Sequence, residues 1–496
     1  MDVLNLDLGT ALGAFAGSPA VWGWLLLGVV LGLLFGAMPG LTATAGVAIA
    51  TPLTFGLGFD ASMALLLGLY CAGYFAGSIP AILLNLPGAP GNAATALDGN
   101  ALARMGEAER ALVLATLASM IGGVVSTLIL LFAAPLLARF ALQFTAVEYA
   151  SLGLFGLTCI AAVSGRSLGR GMIAALIGLY LGTVGSDPVE GTDRLTFGIP
   201  DLLGGIPLIP ALIALFALTE VLSQIAGHGG GDLLPVQRRF PVSRWLTPLR
   251  REGWLIGRSS LVGTLVGILP GTGPTIASWL AYGDMARGRR SDDESLERRE
   301  AGVLACESAN NAVTGGAMVP LLTFGIPGDT VTAVLVGALL IQGIDPGPFF
   351  ITQQGPLFAQ ILVILLAANL LMAVVTLALR RRLPALLSVP MRLLLPVVVV
   401  LCIAGSYAAG GSNFDVAFTA VAGLIGYVLL SLGLPIPPLV LGLVLGPIVE
   451  RNLRDALTVH AMDWSVFVTR PISALLLLAT AAALLLAWRR LSRPAG

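Results

Sequence analysis

The chain contains no lysine: all of its 27 basic residues are arginine, and 27 acidic residues balance them to a net charge of zero. Without an excess of positive charge there is no electrostatic case for a polyanion partner, so nucleic-acid binding is excluded. Charged residues of every kind make up only 11% of the 496 residues, where a soluble chain carries about a quarter. That scarcity, with 56% hydrophobic residues and a mean hydropathy of +0.92, also excludes an ordinary soluble protein and a disordered chain. Histidine is nearly absent, and His228 and His460 stand too far apart in sequence to suggest a metal cluster; both read as polar loop residues. The four cysteines, Cys71, Cys159, Cys306 and Cys402, lie in or beside apolar stretches without a C-x-x-C pair, which argues against a disulfide framework and a zinc site. No basic residue precedes Arg104, so the positive segment of a cleavable signal peptide is missing and the first apolar stretch is expected to stay in the mature protein.

What the chain has in quantity is apolar sequence interrupted by 62 glycines and 30 prolines. Apolar stretches fall near 20–37, 42–58, 61–77, 111–137, 147–163, 171–185, 203–226, 259–282, 329–344, 356–379, 393–409, 416–432 and 472–488. They predict an all-α polytopic membrane protein with about 12 transmembrane helices, several of them broken or re-entrant. One polar break divides the chain into a first half at 1–226, a linker at 227–257 rich in glycine and arginine, and a second half at 258–496. A second basic loop carries Arg287, Arg289, Arg290, Arg298 and Arg299. By the positive-inside rule both loops are expected in the cytoplasm. The stretch 259–282 lies between them yet is only about one membrane thickness long, so it is expected to enter, break at Pro270-Gly271-Thr272-Gly273-Pro274 and return.

The halves repeat. Gly32-Leu-Leu-Phe-Gly36-Ala-Met-Pro39-Gly40-Leu-Thr-Ala-Thr44 aligns without a gap on Gly263-Thr-Leu-Val-Gly267-Ile-Leu-Pro270-Gly271-Thr-Gly-Pro-Thr275. Pro80-Ala-Ile-Leu-Leu-Asn85-Leu-Pro87-Gly88 aligns on Pro320-Leu-Leu-Thr-Phe-Gly325-Ile-Pro327-Gly328. The offsets are 231 and 240 residues. Nothing from residue 1 to 103 is basic, whereas the second unit is followed by the arginine cluster, so the two units are expected to face opposite sides as an inverted repeat. Inverted repeats with helices broken near the midplane are a recurring transporter design, with the site at the repeat interface.

A helix that starts inside the membrane offers unpaired N–H groups and the positive end of its dipole, both favourable to an anion. The breaks at Pro39-Gly40, Pro87-Gly88, Pro270-Gly271 and Pro327-Gly328 are such candidate starts. Thr42, Thr44, Ser78, Asn85, Thr272, Gly273, Asn310, Asn311 and Thr330 extend the polar surface beside them, and no arginine is adjacent. Pro-Gly also marks ordinary turns, but two matched pairs of breaks favour a built site. Glu307 and Asp329 are the nearest acidic residues, as cation ligands or proton carriers or as groups at the membrane interface. Asp98 reads as a helix terminus.

Enzyme motifs are missing: there is no H-E-x-x-H, no G-x-S-x-G elbow and no lysine for a phosphate-binding loop. Gly229-Gly230-Gly231-Asp232 matches the G-x-G-D of intramembrane aspartyl proteases in letters only, since it sits in a polar linker with no second aspartate in an apolar span. A passive anion channel or facilitator suits the broken repeats less well than alternating access.

These residues resemble the large membrane subunit of the bacterial tripartite tricarboxylate transporters, from about Gly28 to Gly446. The likeness rests on Pro39-Gly40-Leu41-Thr42-Ala43, on Gly77-Ser78-Ile79-Pro80 through Asn85-Leu86-Pro87-Gly88 with Thr95-Ala96-Leu97-Asp98-Gly99, on Gly267-Ile-Leu-Pro270-Gly271-Thr-Gly273, on Glu307-Ser-Ala-Asn310-Asn311-Ala312, and on Pro320 through Gly328. Cys306 is a departure, because similar proteins commonly carry proline before that glutamate. The resemblance implies no enzymatic activity and no cofactor beyond a coupling ion, sodium or proton. It implies carboxylate uptake across the inner membrane, and two partners: a small transmembrane subunit and a periplasmic substrate-binding protein.

Overall fold

A computed structural model describes residues 7–38, 40–163, 168–187, 190–226, 239–271, 273–287, 295–387 and 389–491. Most of the described residues are helical, and the strand pairing among them is a two-residue antiparallel ladder that sets Gly185 against Arg194 and Ser186 against Asp193. Among the described residues, eight helical stretches are long and apolar enough to cross a bilayer, and six shorter ones of 10–17 residues are apolar as well. The protein is an all-α polytopic membrane protein.

Twelve helices position the site and are numbered in chain order. The first half contributes α1 (Pro19–Ala37), α2 (Ala43–Ala50), α3 (Phe59–Ala76), α4 (Ser78–Leu84), α5 (Ala93–Arg104) and α6 (Ala108–Ala141). The second contributes α7 (Gly253–Ile268), α8 (Gly273–Arg287), α9 (Leu296–Phe324), α10 (Thr330–Ile341), α11 (Gly355–Leu379) and α12 (Ile436–Val459).

The expected breaks are present, and proline sterics account for two of them. Met38, ahead of Pro39, leaves the helix at φ −78° and ψ 117°. Leu269, ahead of Pro270, does the same at φ −82° and ψ 118°. Both are in the extended region that a following proline ring imposes. The other pair of breaks turns on a left-handed residue, Asn85 at φ 57° after α4 and Gly325 at φ 71° after α9. In each, the next amide reaches back 3.3 Å to a proline carbonyl, Leu86 to Pro80 and Ile326 to Pro320.

Packing repeats in register with the sequence match. A Cβ on Gly32 of α1 would stand 2.6 Å from the Leu69 carbonyl oxygen of α3, and Gly36 meets the Gly73 carbonyl one turn on. Gly263 of α7 meets the Ala309 carbonyl of α9, and a Cβ on Gly267 would stand 2.9 Å from the Val313 carbonyl oxygen. Only glycine lets the two backbones approach so closely. The hairpin tips close on these pairs alike: a Cβ on Gly88 would come 2.5 Å from the Gly36 carbonyl oxygen, and one on Gly328 2.6 Å from that of Gly267.

Helix α9 is the centre of the molecule. Ser295 caps it by accepting from the Arg298 N–H at 3.2 Å, and every residue from Glu300 to Thr323 is buried. Its 29 residues span about 43 Å, enough to cross a bilayer. Neither α9 nor α12 is among the expected apolar stretches, because Glu307, Ser308, Asn310 and Asn311 in the one, and Glu450, Arg451, Arg454 and Asp455 in the other, dilute the hydropathy signal. At the start of α9 buried carboxylates are clamped by arginines: Glu300 by Arg110 and Arg251, both at 2.6 Å, and Asp98 by Arg298 at 2.7 Å. Asp98 thus lies inside α5 and is held by a charge partner instead of ending a helix. Glu109 is held by Arg380 at 2.8 Å.

Of the expected linker, residues 227–238 with His228, and of the second basic loop, residues 288–294, lie outside the described residues. The rest of the linker includes a short helix at Leu246–Arg251, and α7 begins at Gly253. His460 follows the last turn of α12.

Candidate substrate and coupling site

Two buried carboxylates from the second half stand at the contact between the halves, and neither has a basic partner among the described residues. Asp329 is the N-cap of α10. Its Oδ1 accepts from the Thr332 N–H at 2.7 Å and from the Thr332 hydroxyl at 2.8 Å, while its own N–H donates to Thr332 Oγ1 at 2.9 Å, completing a capping box. Its Oδ2 accepts from two phenols of α3, Tyr70 at 2.6 Å and Tyr74 at 2.5 Å. Negative charge at a helix start is favoured by the dipole, and here the chain supplies that charge itself.

Glu307, fully buried on α9, is dressed by the first half. Asn92 Nδ2 donates to its Oε1 at 3.1 Å, the Thr95 hydroxyl donates to the same oxygen at 2.5 Å, and the Ser119 hydroxyl of α6 donates to Oε2 at 3.0 Å. Tyr74 joins the two carboxylates: its phenol donates to Asp329, and its backbone carbonyl accepts from Asn92 Nδ2 at 3.3 Å and from Asn310 Nδ2 at 3.0 Å. The Asn311 amide donates to the Cys71 carbonyl at 3.3 Å. Thr44 of α2 and Thr330 of α10 meet hydroxyl to hydroxyl at 2.7 Å, across 286 residues of sequence. The Gly271 amide donates to the Gly328 carbonyl at 2.8 Å, tying two breaks of the second half together.

Of the residues expected at a site, Thr44, Gly271, Gly328, Thr330, Asn310, Asn311, Glu307 and Asp329 converge around Tyr70 and Tyr74. Thr42 caps α2 by accepting from the Ala45 N–H at 3.1 Å. Gly40 lies beneath the Gln224 side chain, and Gly273 opens α8 with φ 59°. Ser78 is buried and its hydroxyl has no partner. Pro327 and Gly88 are buried at the hairpin tips, whereas Asn85 and Pro87 are exposed and stand apart from the cluster. Pro39 and Thr272 lie outside the described residues.

Tyr70, Tyr74, Asn92, Thr95 and Ser119 were not expected at the site. A signal exists for the tyrosines, which stand four apart on one face of an otherwise apolar helix in a chain with only 7 tyrosines. Among the described residues no three His, Cys, Asp or Glu side chains converge on a point. Oxygen ligands for a hard cation would have to include neutral groups, and the carboxamide oxygens of Asn92 and Asn311 are buried without partners.

Helices broken in matched pairs, meeting at an arginine-free polar centre inside a bundle of bilayer-spanning length, define a membrane transporter. The chain belongs to the tripartite tricarboxylate transporter TctA family, whose description matches residues 23–441. It is 38% identical over 482 residues, 96% of this chain and 94% of the other, to an uncharacterised 52.8 kDa protein in the TAR-I ttuC' 3' region of Agrobacterium vitis. It is 41% identical over 215 residues, 43% of this chain and 89% of the other, to an uncharacterised protein in the TAR-II ttuC' 3' region of the same organism. No solved structure matches the chain.

Proposed function

We propose that this chain is the large membrane-spanning subunit of a secondary active transporter that takes up tri- or dicarboxylates across the bacterial inner membrane. A sodium or proton gradient drives the uptake by symport. A periplasmic binding protein delivers the substrate, and a small transmembrane subunit completes the complex. The observation that carries this reading is the family match across the whole broken-helix core, at whose centre the halves meet through Thr44 and Thr330.

In this reading the two units are inverted, and the carboxylate binds between them near the midplane. It is held by Thr44, Thr330, Asn310, Asn311 and the backbone at the Pro-Gly breaks, the remaining polar residues named above lying nearby. Because Asp329 already occupies the start of α10, the neutral starts of α2, α5 and α8 are the ones left for an anion. Held by neutral donors, a carboxylate is bound yet free to leave. Cysteines placed beside Gly58 and beside Gly288 are expected to label from opposite membrane faces; labelling from one face removes the inversion.

The reading is tested by uptake of labelled citrate and a panel of dicarboxylates into vesicles containing this chain, the small subunit and the binding protein, each omitted in turn, with and without ion gradients. Accumulation that needs all three proteins and a gradient is the expected result. Downhill flux through this chain alone, indifferent to any gradient, would overturn it in favour of a facilitator.

A further inference from the structure

The two carboxylates are built for different tasks. We infer that Glu307 binds the coupling ion, that this ion is a proton, and that Asp329 is an anchor between the halves. The inference rests on the carrier reading above.

The donors around Asp329 favour its charged form. Four of them reach its two oxygens: the Thr332 backbone N–H cannot reverse, two are phenols from the other half, and only the Thr332 hydroxyl has a second acceptor, the Asp329 carbonyl at 3.0 Å; the carboxylate also sits at the start of α10, where its charge is favoured. Two of the three donors around Glu307 have somewhere else to go. The Asn92 amide, besides donating to Oε1 at 3.1 Å, faces the Tyr74 carbonyl at 3.3 Å. The Ser119 hydroxyl, besides donating to Oε2 at 3.0 Å, lies 3.4 Å from the Glu307 backbone carbonyl. A proton arriving on Oε2 therefore donates to Ser119 Oγ while that hydroxyl swings to the Glu307 carbonyl, and the Asn92 amide keeps Tyr74. One O–H bond forms, no buried donor is orphaned, and the site goes from anionic to neutral. That change matters inside a membrane, where a lone carboxylate is costly to move and its neutral form is not.

Sodium fits this carboxylate poorly. The Tyr74 carbonyl can only accept, so it fixes the Asn92 amide with its NH₂ end toward Glu307 and its oxygen away, against Gly77, where a Cβ would collide with it. A hard cation needs converging oxygens, and of the two groups nearest Oε1 only the Thr95 hydroxyl can turn an oxygen toward it.

The buried charged and titratable groups on the elements packed against α9 are otherwise engaged, and Arg139 of α6 and Arg287 of α8 are exposed. Tyr70 and Tyr74 of α3 donate to Asp329, Asp98 of α5 is paired with Arg298, and Glu109 and Arg110 of α6 are paired with Arg380 and Glu300. Arg258 of α7 pairs with Asp284 of α8, the Tyr282 hydroxyl of α8 accepts from Arg298, and Cys306 beside Glu307 faces the Ser278 carbonyl.

The test compares the wild type with Glu307→Gln, both assembled with the small subunit and the binding protein in vesicles, using whichever labelled carboxylate of the citrate and dicarboxylate panel the wild type takes up. Two modes are read: accumulation under an inward proton gradient without sodium, and counterflow exchange with no gradient. The wild type is expected to accumulate. Glu307→Gln, a permanently neutral mimic, is expected to lose accumulation by about tenfold or more and to become insensitive to pH while still exchanging, which also shows that it is folded. A variant that accumulates with the wild-type pH dependence overturns the inference and leaves the carrier reading intact, as does wild-type accumulation that follows sodium and ignores the proton gradient. A wild type that accumulates under neither gradient overturns the carrier reading and the inference with it.

Discussion

The two hairpin tips, Asn85–Gly88 and Gly325–Gly328, share a backbone and differ in what surrounds it. Each turns through a left-handed residue, each sends an amide back to a proline carbonyl, and each sets a glycine on the carbonyl of a glycine in the helix beneath. Yet Asn85 and Pro87 are exposed, whereas Gly325 through Gly328 are buried. The cap of the second tip is the carboxylate Asp329; the matching position in the first is Ala89, with no charge to place. The first unit answers with Tyr70, Tyr74, Asn92 and Thr95, which donate to the acidic side chains of the second. A duplicated scaffold has been filled unequally, so that the buried acids of one half are completed by donors from the other. Buried polar groups cost free energy unless paired, so this division of donors and acceptors holds the halves in register.

The largest effect is expected from removing the charged cap. Asp329→Ala uncaps α10 and strands two buried phenols, at a cost of about 3 kcal/mol or more, and is expected to abolish uptake and lower the thermal midpoint in detergent. The matching substitution Ala89→Ser, which adds a neutral cap to the first tip, is expected to change neither greatly. Equal effects at the two positions would dissolve the distinction between them.

Next in size are the carboxamides of α9. Asn310→Ala or Asn311→Ala removes one hydrogen bond donated by the side-chain amide to an α3 carbonyl, and each is expected to abolish transport while membrane insertion persists. Unchanged uptake in both variants would remove these residues from the site. The smallest effects sharpen the symmetry. Gly88→Ala and Gly328→Ala push a methyl onto equivalent carbonyls and are each expected to cost about 1–3 kcal/mol of stability, similar in the two variants. A twofold or greater disparity in that loss would show that the tips are not mechanically alike.

Much of this arrangement could be read from composition and spacing, and the part that could not has a common cause. The breaks were legible because proline and glycine act on their immediate neighbours: Met38 and Leu269 leave the helix for the same steric reason, in any fold. Glu307 and Asp329 were legible as suspects because an acid in apolar sequence is rare. Helix α9 was not legible as a span, since its polar residues lower its hydropathy and its burial comes entirely from the helices around it. Asp98 misled for a related reason, since its partner Arg298 lies 200 residues away.

By itself, the sequence determined the membrane class, the positions of the helix breaks and the pairing of the two units, because each follows from forces acting over a few residues or from total composition. Tertiary structure alone decided which donors each carboxylate received. Tyr70 meets Asp329 across 259 residues and Thr95 meets Glu307 across 212, and contacts that distant are set by how the helices pack, not by any local preference. The division between an anchoring carboxylate and an exchangeable one rests on that assignment, since a buried carboxylate takes its chemistry from the hydrogens aimed at it.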